Sequence, residues 1–185
     1  MVDTYRVSEL GFQTSGFRGL DWEKFSSDQC DLFFKVYSID KTEEIHGLEC
    51  YKFPEERSYL IRRNETIMTV DSGWKKAEIY FQKDMECINS FFCQIFYTHA
   101  VQRHIIYLHS SLIDYQGNGL MFLGPSGIGK TTQAELWNQY RDALIINGDV
   151  AFAQETPDAF LGWGTPWHGP SPYCENPSIP VQAQI

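Results

Sequence analysis

Apolar residues change their period twice along this chain. Up to about residue 85 they come in short runs: Asp31–Ser38, Glu49–Phe53, Ser58–Ile61, Glu65–Val70 and Lys76–Phe81. Turn-forming pieces such as Pro54-Glu55-Glu56 and Asp71-Ser72-Gly73 separate them. Runs of this length with such punctuation predict strands, and their close spacing predicts a small antiparallel, β-rich module over residues 1–85. The period then lengthens. Ile88, Phe91, Phe92, Ile95, Phe96, His99 and Ala100 recur at the spacing of one helix face. That predicts an amphipathic helix from about Met85 to His104, connecting the two halves over residues 86–104. So aromatic a stripe reads as core packing before it reads as a ligand face.

From Ile105 the pattern changes again, to strand, turn, strand, loop, helix, strand. Ile105–Ile113 reads as an apolar strand interrupted by His109-Ser110-Ser111, and Gln116-Gly117-Asn118-Gly119 as a hairpin turn. Leu120–Leu123 reads as a short buried strand. A helix is expected from about Lys130 to Tyr140, with Ala134, Leu136 and Trp137 available for packing, and a strand at Ala143–Ile146 ending in Asn147-Gly148-Asp149. Residues 105–185 therefore read as an α/β domain, and the whole chain as α+β.

Between strand and helix lies Gly124-Pro125-Ser126-Gly127-Ile128-Gly129-Lys130-Thr131, a full match to G-x-x-x-x-G-K-[ST] in the right context. Each residue type has a physical reason. The glycines let backbone N–H groups approach phosphate oxygens, and the helix that follows presents unpaired N–H groups and its positive dipole end to the anion. Lys130 would reach the β- and γ-phosphates, and the Thr131 hydroxyl would ligate Mg²⁺, with Thr132 extending the same face. The loop predicts binding of ATP or another nucleoside triphosphate. Asp149 follows Lys130 by only 19 residues, one helix and one strand. It reads as a metal ligand or base at the phosphates, or as a strand-end turn residue.

Composition narrows the class. With 43% hydrophobic and 15% aromatic residues the chain can bury a core. Its net charge of −9 argues against a general nucleic-acid binder, which needs a basic face. Cys30, Cys50, Cys87, Cys93 and Cys174 are odd in number, scattered and without a C-x-x-C pair, which points to reduced thiols. Met1–Arg6 lacks the features of a signal peptide. The most apolar stretch, Ile88–Leu108, carries Gln94, His99, Gln102, Arg103 and His104, which argues against a membrane span. A cytoplasmic location is expected.

Taken together, His109-Ser110-Ser111-Leu112-Ile113-Asp114, Gly119–Thr132 and Leu144-Ile145-Ile146-Asn147-Gly148-Asp149 resemble the HPr kinase family, a P-loop group whose nucleotide fold is shared with phosphoenolpyruvate carboxykinases. The likeness is greatest to short HPr-kinase-like proteins associated with peptide modification. It implies an ATP- and Mg²⁺-dependent kinase acting on a serine or other hydroxyl of a peptide, protein or small molecule. By position, Lys130 and Thr131 would hold phosphates and Mg²⁺. Asp149 would be metal ligand or catalytic base, and His109 would sit beside it and tune its charge, unless it is simply a hydrogen-bonded strand-end histidine. The chain departs from the bifunctional members in having Gly148-Asp149 where they carry two acids, and Thr132 where they often have Glu. Gly162-Trp163-Gly164-Thr165-Pro166-Trp167-His168-Gly169 resembles a segment of the short members. It would close over a ligand, with His168 able to touch a phosphate, or pack as a structural loop.

Cations are sparse where a kinase needs them. From residue 107 on only Lys130 and Arg141 are basic, against Asp114, Glu135, Asp142, Asp149, Glu155, Asp158 and Glu175. Arg57, Arg62 and Arg63 are candidates to supply the difference. The segment Ser178–Ile185 reads as a strand just beginning, and the relatives continue for roughly another hundred residues, a domain-sized extension. A C-terminally truncated P-loop core is therefore expected, with an open apolar edge that favours a homo-oligomer. A non-catalytic nucleotide-binding protein is the alternative function.

Overall fold

The computed structural model describes residues 2–17, 21–38, 50–53, 58–64, 66–81 and 85–184. Glu49, Pro54-Glu55-Glu56, Arg57 and Glu65 lie outside the described residues. The chain divides into two compact units, Met1–Arg6 with Leu10–His99, and Val7–Glu9 with Ala100–Ile185. Both are strand-rich, and the described residues hold two α-helices. None is long and apolar enough to cross a membrane.

The first unit carries β1 (Val2–Val7), β2 (Leu10–Ser15), β3 (Leu32–Ser38), β4 (Cys50–Phe53), β5 (Ser58–Arg63), β6 (Thr66–Asp71), β7 (Lys76–Phe81) and helix α1 (Met85–Ala100). The strands form one sheet in the order β1-β2-β3-β7-β6-β5-β4. It is mixed rather than antiparallel, because β3 pairs parallel with both β2 and β7. Alternation along a strand fixes which face is apolar and says nothing about which distant strand lies beside it. The α1 stripe is core, as its period requires. Ile88, Phe91, Phe92, Ile95, Phe96 and Ala100 are buried, each large side chain worth about 1.5–3 kcal/mol against exposure. Phe17 and Trp22 pack on Phe92, and His99 contacts the Trp74 carbonyl through Nε2 at 2.8 Å. The helix stops at Ala100, short of the expected His104. A 3₁₀ turn follows over Val101–Arg103, and His104 takes the left-handed conformation with φ 57°.

The second unit carries β8 (Ile105–Tyr115), β9 (Asn118–Leu123), α2 (Lys130–Arg141), β10 (Leu144–Asn147), β11 (Val150–Glu155), β12 (Phe160–Trp163) and β13 (Ser178–Gln184). Five strands close a ring in the order β8, β11, β12, β13, β9 and back to β8. The segment expected to leave an open edge is thus paired on both sides, antiparallel to β12 and parallel to β9. Nor do His109-Ser110-Ser111 interrupt β8. There the strand changes partner, from β11 along Ile105–His109 to β9 along Ser110–Tyr115.

Neighbouring residues on these strands enter different cores, as the pleat demands. Leu112, Met121 and Ile146 join Ala151, Ala153 and Ile179, whereas Ile113, Phe122 and Ile145 pack with Ala134 of α2 and Ala143. Burial on both faces explains why these strands read as continuous apolar runs. Trp137 packs on the α2 side, but Leu136, expected to pack, is exposed.

Candidate functional site

Gly124–Thr132 bridges the end of β9 and the first turn of α2. Gly129, at φ 103° and ψ 21°, takes a left-handed conformation just before the helix, where an L side chain would be strained. Gln133 N–H to the Gly129 carbonyl, 2.9 Å, starts the helical ladder. Lys130 is buried, and its ammonium donates to the Gly124 and Pro125 carbonyls at 3.0 and 3.2 Å. It therefore lies along the inside of the loop, held by two neutral acceptors that an anion would outcompete. Ile128 stands out into solvent.

The strand after the helix brings the acid back. β10 and then β11 pair antiparallel with successive parts of β8, from Leu144 opposite Asp114 to Gln154 opposite Ile105. That ladder skips Gly148 and Asp149. The Gly148 carbonyl instead accepts two hydroxyls, Thr131 Oγ1 from α2 and Ser111 Oγ from β8, each at 2.8 Å. One peptide further on, Asp149 Oδ1 meets His109 Nε2 at 2.8 Å. Both side chains are partly exposed, so the pair is open to a reactant. His109 donates here from Nε2 to the Asp149 carboxylate.

The glycine- and aromatic-rich segment begins inside β12 and continues against Asp149. A Cβ added at Gly169, whose φ is 58°, would stand 2.4 Å from Asp149 Oδ2. Buried Thr165 donates from Oγ1 to the Val150 carbonyl at 2.8 Å, and Phe152 and Trp167 rings meet edge-on. His168 turns Nδ1 to the Ser171 carbonyl. Position 148 has no room for a second acid, since a Cβ there would fall 2.0 Å from Ser171 Oγ.

The predicted residues thus fall into one neighbourhood of one unit: the loop Gly124–Thr132 with Thr131, Asp149 and His109. Arg62 and Arg63 belong to the first unit, where Arg63 bonds Ser90 and Gln94 and lies over the Phe91 ring. Ser111, Asn147 and Ser171 acquire roles at the site that sequence reading did not assign. The signal for Asn147 was present, because Asn before Gly-Asp at a strand end is an Asx-turn pattern. Among the described residues no group of three or more His, Cys, Asp or Glu side chains gathers to hold a metal. Thr131 and Asp149 offer the hard oxygens Mg²⁺ prefers, and Mg²⁺ on a nucleotide takes most of its ligands from phosphates and water. No protein-family model matches the chain, and no curated protein matches it.

Proposed function

We propose that the chain is a cytoplasmic, HPr-kinase-like enzyme that transfers the γ-phosphoryl group of ATP to a serine or other hydroxyl of a peptide, protein or small molecule. One observation carries this reading. Asp149, paired with His109 at 2.8 Å, lies one peptide beyond the carbonyl that accepts the Thr131 hydroxyl of the phosphate loop. A carboxylate held beside a triphosphate loop and backed by an imidazole is the arrangement that hydroxyl phosphorylation needs.

The triphosphate lies along Gly124–Thr132, with Lys130 leaving the Gly124 and Pro125 carbonyls for its β- and γ-oxygens. Thr131 already spends its proton on Gly148, so its lone pairs remain for a cation. Mg²⁺ would be held by Thr131 and the phosphates themselves and would supply charge neutralisation there when bound. The acceptor hydroxyl gives its proton to the Asp149 carboxylate as its oxygen bonds to the γ-phosphorus and the bond from that phosphorus to the bridging oxygen breaks, releasing ADP. His109 holds Oδ1 of that carboxylate and steadies its charge before the transfer.

The scarcity of cations favours a second reading, nucleotide binding without transfer. From residue 100 on, Arg103, Lys130 and Arg141 are the chain's only arginines and lysines. Incubation with γ-labelled ATP, Mg²⁺ and a library of serine-containing peptides separates the two. Label on serine supports the kinase, and calorimetric binding of ATP with no phosphate consumed supports the second reading. Absence of binding removes both.

A further inference from the structure

We infer that Asn147 is a positioning residue for Asp149, setting the direction in which the carboxylate meets His109. This rests on the kinase reading for its consequence in turnover, and on the local hydrogen bonds for its content. The ladder to β8 fixes Asn147 opposite Leu112 and Val150 opposite His109, and skips the two residues between. Gly148 is pinned through its carbonyl by Ser111 and Thr131. Asp149 is pinned by a side chain: Asn147 Oδ1 accepts the N–H of Asp149 and of Val150, each at 2.8 Å. Two successive amides held on one oxygen fix the Asp149 backbone, and with it the line of its Cα–Cβ bond.

The other end of the amide is equally committed. Nδ2 donates to the Thr165 carbonyl at 2.9 Å, with the Trp167 carbonyl at 3.4 Å. Every neighbour of Oδ1 is a donor and every neighbour of Nδ2 an acceptor, so the amide has one orientation. It is fully buried, which leaves water unable to replace it. Only Asn fits these demands at this length. Asp would keep the acceptor for the two amides but set an oxygen against the Thr165 carbonyl, Ser would hold the amides less well, and Ala would leave them unheld. Through the same amide, the loop at Thr165–Trp167 is tied to the turn that carries Asp149.

The test reads His109 directly. Side-chain ¹H–¹⁵N NMR of the full chain should show a low-field His109 Nε2–H correlation, as expected of a proton hydrogen-bonded to Asp149 Oδ1. In Asn147→Ala this signature should be lost, and in Asn147→Ser, whose shorter hydroxyl holds the two amides less well, it should be weakened. Thermal stabilisation by Mg²⁺–ATP, which reports the intact phosphate loop, should persist in any variant that folds. Turnover should fall by about tenfold or more with KM for ATP unchanged, as misorientation of a reacting group predicts. A folded Asn147→Ala or Asn147→Ser with an unchanged His109 signature overturns the inference, whether or not the wild type turns over. Loss of turnover in step with loss of nucleotide stabilisation would make the role merely structural and also overturn it. Wild type with the signature but without turnover counts against the kinase reading alone, since the NMR comparison still decides Asn147.

Discussion

Replacing Gly169 by alanine moves the Asp149 carboxylate without altering any ionisable group. The new Cβ would stand 2.4 Å from Asp149 Oδ2 and 3.1 Å from Cγ, whereas ordinary contact begins at 3.4 Å. The carboxylate must retreat by about 1 Å, a displacement that costs about 100-fold in rate when it misplaces a reacting group. A second cost is separate. At φ 58° an L residue sits in the left-handed region, at about 1–2 kcal/mol, which lowers Tm by several degrees. Gly117→Ala isolates that second cost, because Gly117 has φ 81° and nothing lies within 4 Å of the added Cβ. Phosphate release from Mg²⁺–ATP, ATP affinity by calorimetry and Tm should be measured for both variants. We expect similar losses of Tm, unchanged affinity in both, and the 100-fold loss of turnover in Gly169→Ala alone. Turnover of Gly169→Ala within about twofold of Gly117→Ala would refute the placement of Asp149 at the reacting centre.

Two further predictions concern packing and burial. Gly148→Ala places its Cβ 2.0 Å from Ser171 Oγ and 2.8 Å from Ser171 Cβ. It should destabilise the fold by about 1–3 kcal/mol, and Gly148→Ala with Ser171→Gly should recover part of the Tm. Burial pushes the Cys93 thiol up to about 11, opposed by the Arg63 guanidinium. A raised folded value means a contribution fully present below the unfolded thiol value of about 8.5. It is lost as pH climbs from there through about 11. Denaturant midpoints measured across that window should fall more steeply for wild type than for Cys93→Ala.

What could be read from the sequence was what is local. The loop Gly124–Thr132 is a contiguous string whose glycine spacing dictates its own conformation, and the α1 stripe states its buried face in its period. The ring of strands was hidden for a physical reason. Gly162 looks like a loop residue, yet it lies in β12 where a Cβ would meet both Leu112 methyls at 3.0 Å. The glycine makes room for the barrel core. His109-Ser110-Ser111 looked like a break because polar residues stood in an apolar run. Its serine hydroxyl is polar because it reaches the Gly148 carbonyl, 37 residues away, a partner no local pattern encodes. The pairing of His109 with Asp149 came from the resemblance, and the mixed order of the first sheet depends on long-range partners that alternation leaves open.

Whether one site binds the triphosphate through Lys130 and acts on it through Asp149 is decided by titrating Mg²⁺–ATP calorimetrically into wild type, Lys130→Ala and Asp149→Asn, with phosphate release followed on the same samples. Wild type should bind and release phosphate, Lys130→Ala should bind at least about tenfold more weakly, and Asp149→Asn should bind without release. Equal binding by Lys130→Ala, or full release by Asp149→Asn, would contradict these roles.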